Sequence, residues 1–263
     1  MITLNGEIVK ADHFPDGTTL MKHKIAHKVY QNGAKIEWFF ENNEELITLI
    51  YLTKHLRELG VHDVYLNLPY IPNARQDRVK NVEDVFTLKY FADIINYLNF
   101  NCVQVMDAHS NVSVALINRV VPCTPDAYIH ESIERCNPNM LFFPDEGSMK
   151  RYSSMAQMEY AFGIKKRNWE TGKIEGLDVA GCVNKIKGSN ILIVDDICSR
   201  GGTFYYSAKK LKELGANKIY LYVTHCENTI FEGELLTSGL IEKVYTTNSI
   251  FTKEHEMIEV FNL

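Results

Sequence analysis

Apolar residues along this chain recur in two alternating rhythms. Over residues 45–59, Leu46, Ile47, Ile50, Tyr51, Leu56 and Leu59 keep close to a 3.6-residue period that stops at Gly60, which predicts a helix. The next run, VHDVYLNLPY (61–70), reads as a strand, and Val85–Leu98 as a second amphipathic helix. CVQVMDAHS (102–110) is a short strand entering a polar turn; MLFFPDEGS (140–148) repeats that design, with a helix expected over 148–162. NILIVDD (190–196) is the most apolar strand, TFYYSAKKLKELGAN (203–217) a helix closed by Gly215, and KIYLYVTH (218–225) another strand. Strands alternating with helices imply an α/β fold of mainly parallel sheet flanked by helices. Ligands in such sheets bind at the carboxyl ends of strands.

Four strands end in chemically capable turns: LPYIPNARQDR (68–78), MDAHS (106–110), FFPDEGS (142–148) and VDDICSRGGT (194–203). Two lie in each half, so two tandem α/β units are expected, 1–135 and 136–263, joined near ESIERCNPN (131–139). Composition changes this picture only by exclusion. With 46% hydrophobic and 23% charged residues in 263, the chain can bury a core. A formal charge of -5 argues against general nucleic-acid binding. No window approaches the roughly 18 apolar residues of a membrane span, and MITLNGEIVKADHF lacks the apolar stretch of an export signal. The six cysteines (102, 123, 136, 182, 198, 226) contain no C-x-x-C pair, which excludes the usual zinc spacings and favours reduced thiols in a cytoplasm.

The turn after Val194 carries the most chemistry. Gly201 and Gly202 allow a tight bend and close approach to a ligand. Ser199 and Thr203 add hydroxyl donors, Thr203 is placed to cap the helix that follows, and that helix's N-terminus attracts an anion. Two acids, Asp195 and Asp196, open the same turn; adjacent carboxylates hold a magnesium ion or accept from a sugar's 2- and 3-hydroxyls. A ribose 5-phosphate satisfies both halves, its diol at the acids and its phosphate at Ser199, Arg200, Gly201, Gly202 and Thr203. An ordinary capped strand–helix connection is the plainer alternative for this turn alone.

V-D-D-I-C-S-R-G-G-T resembles the phosphoribosyl-binding loop of the type I phosphoribosyltransferase fold. PYIPNARQDR (69–78) resembles the P-Y-x-x-x-A-R-Q-D-R segment of ribose-phosphate pyrophosphokinases, and FPDGT (14–18) their F-x-D-G-E nucleotide loop. DAHS (107–110) and PDEGS (144–148) resemble that family's D-L-H-A/S and P-D-x-G-G/A elements. This resemblance, from about residue 13 to the end, implies two tandem phosphoribosyltransferase-like domains, the first carrying the ATP motifs. It implies ATP contacts from Phe14, Asp16, Gly17, Thr18, Arg75, Gln76 and Asp77, with Asp77 and Arg78 bracing their loop, and magnesium near His109 and Asp145. Asp107 is a weaker candidate. It also implies a mobile loop over FGIKKRNWETGKI (162–174) bearing a catalytic K-x-R pair, Lys165 and Arg167, with Lys166 as the alternative lysine. Lys150 and Arg151 are a lesser source of catalytic cations. The implied activity is transfer of the pyrophosphoryl group of MgATP to C1 of ribose 5-phosphate, in a homo-oligomer.

The chain departs from the pattern where Thr18 stands for Glu, and where Ser199 and Arg200 stand for the acidic D-T of D-D-x-x-D-T-x-G-T. The second change replaces acid by base and suits a larger anionic acceptor such as ADP-ribose, which would place the protein in NAD-related metabolism. Two rivals remain at this level: a phosphoribosyltransferase, which needs no ATP segment, and an inactive regulatory homologue.

Overall fold

The computed structural model describes residues 1–25, 29, 33–167 and 174–263, and for 165–167 and 174–176 the backbone alone. The chain divides into two compact units, Met1–Thr124 and Pro125–Leu263.

In the first unit, strands β1 (Ile2–Leu4) and β2 (Glu7–Val9) are followed by a separate hairpin, β3 (Ala11–His13) and β4 (Thr19–Met21). Then come β5 (Ala34–Trp38), helix α1 (Glu44–Glu58), β6 (Val64–Leu68), α2 (Thr87–Tyr97), β7 (Cys102–Met106), α3 (Asn111–Leu116) and β8 (Val120–Cys123). The sheet order is β2-β1-β5-β6-β7-β8, parallel from β5 to β8 and antiparallel at the β1 edge. The 3.6-residue rhythm of α1 puts Leu49, Leu52 and Leu56 into one core with Val64, Leu66 and Leu68 of β6 and with Leu88 and Phe91 of α2. The pairing Leu68↔Val105 sets the ends of β6 and β7 side by side, so the turns that leave them are neighbours.

The second unit runs α4 (Asp126–Cys136), β9 (Met140–Phe143), α5 (Glu146–Tyr152), β10 (Tyr160–Arg167), β11 (Ile174–Gly181), β12 (Ile191–Cys198), α6 (Gly202–Glu213), β13 (Ile219–Cys226), a short 3₁₀ turn (Asn228–Glu232), β14 (Lys243–Thr247) and β15 (Ile258–Phe261). Its sheet order is β11-β10-β9-β12-β13-β14-β15, with β11 alone antiparallel. Central β12 buries both faces, as a parallel strand covered on two sides must. Ile191 and Ile193 pack with Phe204, Ala208 and Leu211 of α6, whereas Leu192 and Val194 pack with Tyr152 and Ile129 on the opposite side.

Three expectations need correction. The division falls at 124/125 rather than 135/136, because α4 buries Ile129 and Cys136 in the core of the second unit. The helix expected over 148–162 ends at Tyr152; from Tyr160 the chain pairs in parallel with β9, Tyr160 opposite Leu141, and Ala161 is buried in the sheet. The segment read as a loop over 162–174 is strand as far as Arg167, with Lys165 opposite Leu177 and a register shift between Lys166 and Arg167. Residues 168–173 lie outside the described residues. Among the described residues no helix is long and apolar enough to cross a membrane.

Candidate active site

The first unit gathers its chemistry at the ends of β6 and β7. Asp77 is buried, and the Arg78 guanidinium donates to it through Nε at 2.6 Å and Nη2 at 3.0 Å. That pairing, with lesser help from the Ser110 hydroxyl and the charge of His109, holds the Asp77 carboxyl below its ordinary range. The ARQDR and DAHS turns therefore meet around Asp77. Asp107 starts the second turn at φ +41° and is buried, its N–H donating to Cys123 O at 2.9 Å. Gln76 is fixed at the head of α2, where the Thr87 hydroxyl donates to its Oε1 at 2.8 Å, and Arg75 lies exposed beside it. Asp77 is the buried member of this turn, whereas Arg75, Gln76 and Arg78 are exposed.

FPDGT forms the turn between β3 and β4. Phe14 N–H donates to Thr18 O and Gly17 N–H to Phe14 O, both at 2.8 Å. Asp16 Oδ1 accepts from the Thr18 amide at 3.0 Å and its hydroxyl at 2.7 Å, and the hydroxyl is the larger reason that the Asp16 carboxyl sits below its usual range. Thr18, standing where glutamate was expected, thus locks the turn through Asp16. Phe14 is half exposed at its tip. A cavity of 330 Å³ lies along the same edge, lined by Met1, His13, Thr19, Glu41 and Glu45 among others, and none of the predicted site residues lines it.

In the second unit, β12 delivers Asp195 and Asp196 to the end of the sheet, and the chain turns through Ser199, Arg200 and Gly201 into α6. Gly201 has φ +75°, a left-handed conformation that glycine adopts without strain. Gly201, not Thr203, is the N-cap residue, and no side chain caps this end. Thr203 lies inside the first turn. The first intrahelical bond runs from Tyr205 N–H to Gly201 O at 2.9 Å, so the amides before it have no partner within the helix. Such amides, together with the helix dipole, attract an anion in general.

The two acids are not equivalent. Asp196 is buried; its Oδ2 accepts from Arg151 Nη1 at 3.1 Å and its Oδ1 from the Ile197 amide at 2.9 Å. Asp195 accepts the Asp196 amide at 3.0 Å. Burial drives the Asp195 carboxyl well above its ordinary range, and the charges of Asp196 and Asp145 add to the effect. Asp145 caps α5, with Oδ1 accepting from the Gly147 and Ser148 amides at 3.0 and 3.1 Å, and the Ser148 hydroxyl closes a capping box. Asp145, Asp195 and Asp196 thus lie near enough to feel one another's charge, with Arg151 donating to Asp196. His109, expected to share the metal with Asp145, belongs to the other unit and lies near Asp77. Among the described residues no group of three or more metal-ligating side chains is present.

Residues 173–260 match the phosphoribosyl synthetase-associated domain. A ribose-phosphate pyrophosphokinase of Thermococcus kodakarensis is 29% identical over 93% of this chain and 86% of its own. One from Aquifex aeolicus is 30% identical over 84% of this chain and 73% of its own. The chain belongs to the ribose-phosphate pyrophosphokinase family. Its fold agrees with that of phosphoribosylpyrophosphate synthetase from Mycobacterium smegmatis at a TM-score of 0.76, covering 97% of this chain and 86% of that one at 17% identity. The two parallel-sheet units are therefore the tandem phosphoribosyltransferase-like domains of a ribose-phosphate pyrophosphokinase.

The geometry groups the predicted residues into two sets in this pyrophosphokinase. Arg75, Gln76, Asp77 and His109 fall together in the first unit; Asp145, Asp195, Asp196 and the 199–203 loop fall together in the second. For Lys165 and Arg167 only the backbone is described, in β10. Sequence reading set aside Arg151 as a minor source of catalytic charge, whereas its guanidinium is the partner of Asp196. The residues are 45 apart, and only α5 packing against β12 brings them together. The turn after β13, where sequence reading named no site residue, packs directly on the Ser199–Thr203 loop.

Proposed function

We propose that this ribose-phosphate pyrophosphokinase is an ATP-dependent diphosphokinase. The anomeric hydroxyl of ribose 5-phosphate attacks the β-phosphorus of MgATP, the bond from that phosphorus to the α-bridging oxygen breaks, and AMP leaves. The hydroxyl proton is lost to solvent, and the pyrophosphoryl group ends on C1. The observation that carries this reading is the end of β12, where a half-buried carboxylate and a buried one precede a left-handed glycine and an uncapped helix N-terminus. A ribose diol and a 5-phosphate match those two features in that order.

In this reading Asp195 and Asp196 hold the ribose hydroxyls, Arg151 fixing the second acid, and the Ser199–Thr203 loop receives the 5-phosphate. Arg75 and Gln76 hold ATP, with the FPDGT turn (Phe14, Asp16, Gly17 and Thr18) as a further nucleotide contact. Lys165 and Arg167 meet the charge that develops on the transferred group. Asp145 and Asp195 are the carboxylates that would hold magnesium, which would neutralise charge on the ATP phosphates; His109, in the first unit, is a further candidate on the nucleotide side. With no covalent intermediate, positioning and electrostatics supply the acceleration. A homo-oligomer in the cytoplasm completes the proposal.

Separation of nucleotides after incubation with MgATP and ribose 5-phosphate tests it: AMP and a ribose 1-diphosphate are expected. ADP, or unchanged ATP, contradicts it and favours the transferase or inactive reading. Chelation of divalent cations is expected to stop AMP release, and magnesium to restore it.

Arg75→Ala is expected to raise KM for ATP about 10- to 100-fold, the equivalent of losing one charge-assisted interaction, and to leave KM for ribose 5-phosphate unchanged. An equal rise in both would remove Arg75 from the nucleotide site.

Arg200 bears on the acceptor. Its Nε and Nη2 donate to Glu232 Oε2 at 3.1 and 2.9 Å, so its charge is already met by a carboxylate. This favours ribose 5-phosphate over ADP-ribose. With both acceptors offered to the wild type and to Arg200→Thr, the preference for ribose 5-phosphate is expected to persist in both; a wild type that prefers ADP-ribose contradicts it.

A further inference from the structure

The turn that follows β13 is built against the phosphate loop, and the proposed chemistry does not itself require it. Glu227 N–H donates to Cys198 O at 2.8 Å, tying the start of the turn to the last residue of β12. The 3₁₀ turn closes with Gly233 N–H donating to Ile230 O at 3.3 Å and lays Gly233 against Arg200. A Cβ added to Gly233 would stand 1.8 Å from the Arg200 carbonyl oxygen and 2.8 Å from its carbonyl carbon. Two residues later the buried Leu235 fills the space beside Gly201, where an added Cβ would meet its side chain at 2.9 Å. The Glu232 carboxylate, reaching back to Arg200, completes the contact.

We propose that the Glu227–Leu235 turn sets the position of the 5-phosphate loop, and that Gly233 is a positioning residue for the acceptor. The inference rests on the reading of Ser199–Thr203 as the phosphate cradle. The Arg200 carbonyl belongs to the same peptide unit as the Gly201 amide, so whatever displaces that oxygen also displaces the amides that start α6. The contact is backbone on backbone, and no rotamer change relieves it. The Arg200–Glu232 pair is exposed on both sides and contributes little by itself. Leu235 supports the loop from the Gly201 side, a second independent contact.

The test compares Gly233→Ala, Leu235→Val and Glu232→Gln with the wild type, measuring KM for each substrate and ribose 5-phosphate affinity by calorimetry. Gly233→Ala is expected to weaken ribose 5-phosphate binding by at least about tenfold, since displacement by about an ångström is costly in a positioned site. KM for ATP should stay within about twofold. Leu235→Val keeps the fold if Gly233→Ala does not, and is expected to weaken acceptor binding about threefold or more. Glu232→Gln should change it less than either. Unchanged acceptor affinity in both loop-support variants, or a lowered kcat with neither KM altered, overturns the inference. Calorimetry needs no turnover. A wild type that binds ribose 5-phosphate but makes no AMP would remove the diphosphokinase reading while the loop comparison still decides this one.

Discussion

Asp195→Asn is expected to cut turnover by about 100-fold or more and yet raise the melting temperature. The carboxylate is half-buried beside two others, Asp196 and Asp145, and loss of water around it is the larger reason that its proton is held so tightly. In the unfolded chain the same group ionises near its ordinary value, so the folded protein without substrate carries a cost whenever Asp195 is charged. A carboxyl raised on folding adds stability fully below the unfolded value and loses it as pH rises through the folded value. The amide removes that dependence. Asparagine keeps an oxygen for the Asp196 amide, so the local backbone bond survives. The expected gain at neutral pH is about 1–2 kcal/mol, or roughly 2–4 °C in Tm. It should shrink toward nothing as pH falls below about 4. Activity should fall by about 10²–10³ or more, since the ribose loses a fixed acceptor and the metal a carboxylate. Thermal scans of both proteins from pH 4 to pH 8, paired with AMP release, check this. A variant that is less stable at neutral pH would show that Asp195 is neutralised within the protein itself.

Arg151→Ala is expected to act in the opposite sense on stability. Arg151 Nη1 lies 3.1 Å from Asp196 Oδ2, and the carboxylate side chain is only 9% exposed. Removing the guanidinium leaves a buried charge with one fewer partner, a change that costs about 3–5 kcal/mol in a fully buried pair. The arginine side chain is 29% exposed, so water compensates in part and about 2–3 kcal/mol is expected here. Arg151→Lys should restore part of it. KM for ribose 5-phosphate should rise while KM for ATP stays constant, because Asp196 is the group that loses its orientation. The double variant Arg151→Ala, Asp196→Asn should be more stable than Arg151→Ala alone. Additive losses in that cycle would mean the two side chains do not interact.

What the sequence makes legible follows from range. The ribose-phosphate turn is one strand, one bend and one helix start within fourteen residues, Ile191–Phe204, and its apolar run, acids and glycines each specify a local conformation. The ARQDR and DAHS turns are legible for the same reason, and their meeting at Asp77 follows from adjacent parallel strands. Arg151 was not legible as a partner of Asp196, because nothing local distinguishes a basic residue in the last turn of a short helix from a solvated one. The polar run Lys165–Arg167 looks like loop, yet its backbone pairs with β11, whose hydrogen bonds do not depend on side-chain polarity. Helix α4 was assigned to the wrong unit because an amphipathic helix does not state which sheet it will cover; Ile129 and Cys136 settle that only through packing. Gly233 is the sharpest case. A lone glycine in F-E-G-E carries no signal until the Arg200 carbonyl is seen against it.

The central claim is that the β-phosphorus of ATP is transferred with its γ-phosphate to C1 of ribose 5-phosphate, and the destination of a label tests it most directly. With ATP labelled at the β-phosphorus and unlabelled ribose 5-phosphate, the label is expected wholly in a diphosphate attached at C1, with unlabelled AMP formed in equal amount. Label appearing in ADP, or remaining in ATP while ribose 5-phosphate is unchanged, would contradict the account.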